Sequence, residues 1–149
     1  MAVKTAFSTK ELRAILSGYD LGDYINSRGF GRGADQTNMR VTTSQGPYSF
    51  RYYEKRTEDY VRFELDLLRF LHGKSYPCPA PIQQRDGSDI GMHKSKPYAI
   101  FTLLEGKHDE NSRNYRLVAP ALAWLHNLTR GYKPAYAEAR AQDGPEYAC

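Results

Sequence analysis

Two residues are the first candidates for a functional site: a basic residue in a predicted strand and an acidic residue in the helix that follows it. Arg51 lies in the aromatic-rich run Tyr48–Tyr53, which predicts a strand. Alternation along a strand places Ser49 and Arg51 on the same face. Glu64 lies between apolar neighbours in the following helix. Such an acid is usually a solvated helix position, but its place after a strand-borne base also allows an ion pair.

Glycines precede this pair in the segment Gly29-Phe30-Gly31-Arg32-Gly33. Glycine lets backbone amides approach a phosphate without obstruction by side chains. The segment has no Gly-Lys-Ser/Thr ending, so it is not a Walker-type P-loop, and it opens no helix, so it is not a dinucleotide fingerprint. From the residues alone, a plain turn between two strands is the simpler interpretation of Gly29, Gly31 and Gly33, and a phosphate-binding loop is the alternative.

Capping signals predict two of the helices that would position these residues. Ser8 and Glu11 form a capping box that opens a first helix, and Gly18 ends it. Thr57 is the predicted N-cap of a second helix, which carries Glu64, and Gly73 is its predicted C-cap.

Most of the remaining chain has residue patterns that are typical of strands, turns and connectors. Thr37–Thr43 alternates with period two, Ser44–Pro47 is a predicted turn, and Tyr48–Tyr53 returns as the second strand of a hairpin. Pro77–Pro81 forces an extended connector, because proline restricts its neighbours and removes donors. Pro97–Leu104 is an apolar run typical of a buried strand.

A last helix is predicted over roughly Asn114–Thr129. Pro120 interrupts its apolar pattern, so the helix either begins nearer Ala119 or is kinked at the proline. Because the strands are neighbours along the chain, their pairing should be mostly antiparallel. The predicted class is therefore α+β.

Bulk properties are those of one ordinary domain without a membrane segment. The chain has 149 residues, of which 40% are hydrophobic and 26% charged, and no apolar run reaches the roughly 18–20 residues that span a bilayer. The N-terminus lacks a signal peptide, so we expect a cytoplasmic protein. Cys78 and Cys149 have no metal-binding spacing. The formal charge of +4 favours an anionic partner, but the basic residues are scattered among acids, which makes nucleic acid unlikely.

The order of these motifs resembles the N-terminal lobe of the aminoglycoside phosphotransferase superfamily, and within it the homoserine kinase type II group. The resemblance covers about Gly29 to Tyr132. It rests on six segments in order, of which none is distinctive alone: Asp35–Asn38 before a strand, Tyr48–Arg56, Leu67–Leu71, Tyr76–Pro81, Ala99–Gly106 and Val118–His126.

The resemblance implies a protein-kinase-like N-lobe, an antiparallel sheet with a packed helix, followed by a hinge and the first helix of a C-terminal lobe. Residues 1–27 would be an N-terminal helical extension and 28–104 the nucleotide-binding lobe. Residues 105–149 would supply the hinge and the first helix, and we expect the rest of the C-terminal lobe to be missing.

The resemblance also assigns nucleotide-binding roles. Phe101 would occupy the gatekeeper position, and backbone groups of Thr102 and Leu104 would bind adenine, over which Ser49 is small enough to sit. Arg51, paired with Glu64, would hold the phosphates, although many relatives have lysine there, and Lys55 is the fallback base. The glycines of the hairpin and Asn38 complete the predicted site.

The predicted activity is transfer of phosphate from ATP, with Mg²⁺, to a small hydroxyl-bearing substrate, most specifically homoserine. No catalytic residue and no metal ligand is predicted in this chain: the family's His-x-Asp-x4-Asn loop finds no match, and His108–Asn111 has the wrong spacing. We therefore expect the chain alone to be inactive. The alternatives are a non-catalytic, pseudokinase-like interaction module that could self-associate, and a single-stranded nucleic-acid-binding domain built on Arg51, Lys55, Arg56 and the tyrosines at 48, 52 and 53.

Overall fold

The computed structural model describes residues 4–30, 36–106 and 115–136, and these form three helices and six strands. In chain order the elements are α1 (Thr9–Leu16), β1 (Tyr24–Gly29), β2 (Gln36–Thr43), β3 (Gly46–Tyr53), α2 (Glu58–Gly73), β4 (Pro81–Ile82), β5 (Gly91–His93), β6 (Lys96–Thr102) and α3 (Tyr115–Thr129).

All of these strands join one antiparallel sheet in the order β1-β2-β3-β6-β4. The short strands β4 and β5 both pair with β6 on the edge away from β3. β3 therefore lies in the middle of the sheet, where both of its edges are hydrogen-bonded and its side chains are held most firmly. The predicted α+β class with an antiparallel sheet is confirmed.

One face of the sheet packs on α1. The predicted capping box is present: Ser8 and Glu11 cap each other's backbone amides at the start of the helix. Leu12, Ile15 and Leu16 are buried on the sheet, where the core also contains Leu21, Met39, Val41, Phe50, Tyr52, Tyr98 and Ile100. The segment before α1 joins this core, since the Phe7 ring lies edge-on to Phe50 and Tyr52.

The other face packs on α2, which begins after its predicted N-cap Thr57. Burial of Val61 and Leu65 against Tyr53, Ala99 and Phe101 forms a second, smaller core. Because α2 docks through these residues, the part of the helix between them is fixed over β3. Glu64 lies in that part.

Several predicted boundaries differ from the structure. Gly73 is the last residue of α2, and Lys74 is the C-cap. β6 ends at Thr102, so Leu103 and Leu104 lie beyond the strand. α3 begins at Tyr115 and contains Pro120, so a start nearer Ala119 is wrong.

Three strands were not predicted. One is β4 (Pro81–Ile82), which begins at the last residue of the predicted connector Pro77–Pro81. β1 lies across the expected boundary between residues 27 and 28, and it pairs with β2, so the segment before the glycines belongs partly to the sheet. β5 is a short strand of three residues that pairs with β6. Among the described residues, no helix is both long and apolar enough to cross a bilayer.

Candidate nucleotide-binding site

Arg51 lies at the centre of the sheet and faces α2. In the register of β3 it stands opposite Asn38 of β2 on one side and Ala99 of β6 on the other. Its neighbours along the same face are Ser49 and Tyr53, because side chains alternate along a strand. Ser49 in turn stands opposite Phe101. The sheet thus brings Asn38, Ser49, Arg51 and Phe101 onto one face.

Arg51 and Glu64 form an ion pair between β3 and α2. Both side chains are partly accessible, with 28% and 21% of their surfaces exposed, respectively. The pair is therefore shielded on one side and open on the other. This is the arrangement a phosphate-binding base needs, because the base must be fixed by protein and still reach a ligand.

Two further contacts orient the Arg51 guanidinium. Its Nε donates a hydrogen bond to Asn38 Oδ1 at 3.2 Å, and its Cζ lies 5.1 Å from the centroid of the Phe101 ring. A guanidinium stacks favourably on an aromatic face and donates through several N–H groups at once. Strand, helix and aromatic ring thus hold Arg51 from three directions.

Tyr53 closes the buried side of the ion pair. Its side chain is completely buried, and this burial raises the pKa of its hydroxyl well above the usual range, with the Glu64 carboxylate raising it further. The hydroxyl is therefore neutral at every physiological pH. Tyr53 and Tyr52 are buried in different cores, so neither is placed to stack on a nucleic-acid base.

The end of β6 leads into the segment predicted to meet adenine. Thr102 exchanges two hydrogen bonds with Ala80: its N–H donates to the Ala80 carbonyl, and its Oγ1 accepts from the Ala80 N–H, both at 2.9 Å. The Thr102 N–H is therefore already hydrogen-bonded within the protein. Within the described segments, the Leu104 amide and carbonyl have no backbone partner, and the Leu104 side chain is 52% exposed.

The glycine-rich segment begins where β1 ends. Gly29 is the last residue of β1 and stands opposite Met39. The Phe30 N–H donates to the Asn38 carbonyl at 3.1 Å, which closes the base of the hairpin. Gly31 and Gly33 lie outside the described residues, and so does the loop His108–Asn111.

Lys55, the fallback base, lies beyond the last residue of β3. Strand alternation therefore does not extend to it, and Arg51 is the residue that forms the ion pair with Glu64. For a metal, residues 4–30, 36–106 and 115–136 contain no cluster of three or more His, Cys, Asp or Glu side chains that could hold an ion.

Comparison with known proteins assigns the family. The model of the "Phosphotransferase enzyme family" matches residues 27–147. This chain belongs to that family. Curated relatives include the homoserine kinases of Paraburkholderia phytofirmans, 41% identical over 139 residues, and Rhodospirillum rubrum, 35% identical over 147 residues. These matches cover 90% and 97% of this chain but 42% and 46% of the relatives, so the chain spans less than half of their length.

Solved structures support the kinase-like fold. An amicoumacin kinase in complex with AMP-PNP, Ca²⁺ and Ami matches with a TM-score of 0.67 at 17% identity, over 86% of this chain and 44% of that one. A spectinomycin phosphotransferase in complex with ADP and spectinomycin matches with a TM-score of 0.64 at 11% identity, over 83% and 39%. The superfamily and the fold expected from the motifs are confirmed.

The contact between Asn38 and Arg51 was not predicted, although both residues were assigned to the site. Its signal is the register of the β2–β3 hairpin, which places the two residues directly opposite each other. A second feature of the same face was also missed: Arg28 and Arg40 stand directly opposite each other in β1 and β2. Like charges in such a position repel each other.

Proposed function

We propose that this chain is the nucleotide-binding part of an ATP-dependent small-molecule kinase, and that Arg51 binds the nucleotide phosphates. The observation that carries the proposal is the ion pair between Arg51 and Glu64, which links the central strand to α2 and is partly exposed. Phosphoryl transfer depends mainly on positioning and charge stabilisation. A fixed, partly exposed guanidinium can supply both.

Fewer backbone groups of Thr102 remain for adenine than we expected from the sequence. Because the Thr102 amide already binds Ala80, Thr102 can offer the adenine edge only its carbonyl. Leu104 can offer its N–H, which no described backbone group accepts. One acceptor and one donor suit adenine, whose amine donates and whose ring nitrogens accept. Ser49 would lie against the base, whereas Phe101, opposite Ser49 but buried in the core under α2, would border the site in the gatekeeper position.

Magnesium would reach this site with the nucleotide. Mg²⁺ binds through one or two carboxylates and the substrate phosphates rather than in a cage made entirely of protein. We assign it no ligand among the described residues. We place the catalytic acid and the acceptor site in the part of the relatives' length that this chain does not span, so the chain alone should bind nucleotide without transferring phosphate.

Homoserine is the acceptor that we propose, because the curated relatives named above are homoserine kinases. The test is phosphorylation of homoserine by the protein that carries this chain, followed by ³¹P NMR. Formation of phosphohomoserine is the expected result. Transfer to choline, methylthioribose or an aminoglycoside, with none to homoserine, would overturn this assignment while leaving the nucleotide site intact.

The nucleotide site is tested by titrating the chain with Mg-ATP and following amide and side-chain NMR signals. We expect shifts at Arg51, Glu64 and Leu104. Arg51→Met should weaken binding about ten- to a hundredfold, because a charge-assisted hydrogen bond to a phosphate contributes about 1.5–3 kcal/mol. Lys55→Met, which removes the same charge nearby, should change the affinity far less.

Two outcomes would contradict the proposal. A larger loss in Lys55→Met than in Arg51→Met would move the phosphate contact to the fallback base. Absence of any shift at millimolar Mg-ATP, in a chain whose NMR spectrum shows it to be folded, would refute nucleotide binding by this part of the protein. It would favour the non-catalytic interaction module instead.

A further inference from the structure

We propose that Asn38 is a positioning residue that orients Arg51 toward the nucleotide phosphates. This inference rests on the proposed function for its ligand, but its geometry stands independently of any ligand. It starts from the presence of arginine, rather than lysine, at the centre of the sheet.

An arginine needs its orientation fixed, whereas a lysine does not. The lysine ammonium is a point charge that presents donors in all directions, but the guanidinium is planar and donates only within its plane. Arg51 can therefore bind phosphate only if that plane has the correct orientation. Glu64 alone, which contacts Nη1, leaves the plane free to rotate about that contact.

Asn38 supplies the second point that fixes the plane. Its Oδ1 accepts from Arg51 Nε at 3.2 Å. The Phe101 ring, 5.1 Å from Cζ, then packs against the guanidinium as a third support. With Nε on Asn38 and Nη1 on Glu64, the guanidinium has further N–H groups beyond these two contacts. Because 28% of the Arg51 side chain is exposed, the remaining N–H groups can donate to a phosphate oxygen.

The backbone of Asn38 extends this link to Phe30, the residue that follows β1. Its carbonyl accepts the Phe30 N–H at 3.1 Å at the base of the glycine-rich hairpin, while its side chain holds Arg51. Asn38 thus contacts both Arg51 and the residue that follows β1. A lysine at position 51 has no Nε–H and would lose this connection.

The test is a double-mutant cycle on the intact chain, with Asn38→Ala made in the Arg51 and in the Arg51→Lys backgrounds. With Arg51, removing the acceptor should weaken Mg-ATP binding about five- to tenfold, the equivalent of one hydrogen bond. With Arg51→Lys, the same change should have almost no further effect. Thr42→Ala, a change on the same strand and face but opposite Pro47, is the matched control and should leave the affinity unchanged.

A second measurement needs no nucleotide. The Arg51 Nε–H signal should be protected from solvent exchange in the wild-type chain and in Asn38→Asp, which keeps an acceptor oxygen, and should lose that protection in Asn38→Ala. If Asn38→Ala keeps both the protection and the affinity, or weakens binding equally in both backgrounds, Asn38 has no positioning role. If the wild-type chain binds no nucleotide but the Nε–H protection depends on Asn38, the proposed function fails while the orientation of Arg51 by Asn38 stands.

Discussion

Replacing Glu54 by glutamine should lower the free energy of unfolding by about 3 kcal/mol at pH 7 and by far less near pH 2. Glu54 follows β3 directly, and only 6% of its side chain is exposed. It accepts hydrogen bonds from the Thr5 N–H at 2.7 Å, the Thr37 hydroxyl at 2.8 Å and Lys96 Nζ at 2.9 Å. Glu54 therefore connects the segment before α1 to β2, β3 and β6 through hydrogen bonds and its place in the chain.

The magnitude follows from the pKa of the Glu54 carboxyl. Burial would raise this pKa, but the hydrogen bonds from Lys96, Thr5 and Thr37 outweigh burial and lower it from 4.5 to about 2. Each pH unit between the two values corresponds to about 1.4 kcal/mol, which gives about 3 kcal/mol in total. This is a large share of the roughly 5–15 kcal/mol that stabilises a typical domain.

The sign of the pH dependence is fixed by the lowered pKa. A carboxyl that is more acidic in the folded state stabilises the fold fully above its unfolded pKa of 4.5. That stability is lost as the pH falls from about 4.5 to about 2, since protonation makes Glu54 resemble glutamine. The difference between wild type and Glu54→Gln should therefore shrink over this range, with about half of it gone near pH 3.3.

The assay is urea unfolding at several pH values between 2 and 7, followed by circular dichroism. Glu11→Gln is the matched control: the pKa of Glu11 is also lowered to about 2, mainly by its hydrogen bond with Lys94, but this side chain is solvent-screened. Glutamine can also replace glutamate in a capping box. A difference of less than about 1 kcal/mol for Glu54→Gln at pH 7, or one that does not change with pH, would refute the reasoning.

Three other features give further predictions. Gly91→Ala should destabilise the chain by about 1–3 kcal/mol in urea unfolding, because the added Cβ would clash with the Tyr98 ring. Leu117 and Leu122 of α3 are 72% and 46% exposed, so we expect concentration-dependent self-association in sedimentation velocity. The double substitution Leu117→Glu with Leu122→Glu should abolish this self-association. A wild-type chain that is monomeric at all concentrations would contradict the prediction. Burial raises the pKa of the Cys78 thiol, so alkylation mapped to this residue should be slow until denaturant is added.

Elements with strong local signals were predictable from the sequence. The capping residues Ser8 and Thr57 mark the starts of α1 and α2 because their side chains satisfy amides that no helix can satisfy internally. β1 and β5 have no comparable signal. β1 is a polar edge strand with an irregular pairing to β2 between Tyr24 and Asn26, and β5 is only three residues long.

Only part of the candidate site could be predicted from the sequence. The ion pair between Arg51 and Glu64 could be anticipated, because it depends only on a strand followed by a helix. The partner of Arg51 across the hairpin depends on the length of the turn. The predicted turn Ser44–Pro47 would place Arg51 opposite Arg40. The actual turn is two residues shorter, since Gly46 and Pro47 belong to β3 and Thr43 stands opposite Gly46, and this register places Arg51 opposite Asn38.

Arg51 of β3 and Glu54, which follows β3, have separate roles. Arg51 points to the α2 face, where its partners are on β2, β6 and α2, whereas Glu54 lies past the end of the strand and binds Thr5, Thr37 and Lys96. Between them Tyr53 is buried against α2, so loss of the Glu54 contacts need not move Arg51. Glu54→Gln should therefore reduce stability while preserving the Arg51 Nε–H protection at pH 7, and Asn38→Ala should remove that protection. If Glu54→Gln removed the protection as well, the site and the anchor of the N-terminal segment would be one cooperative unit.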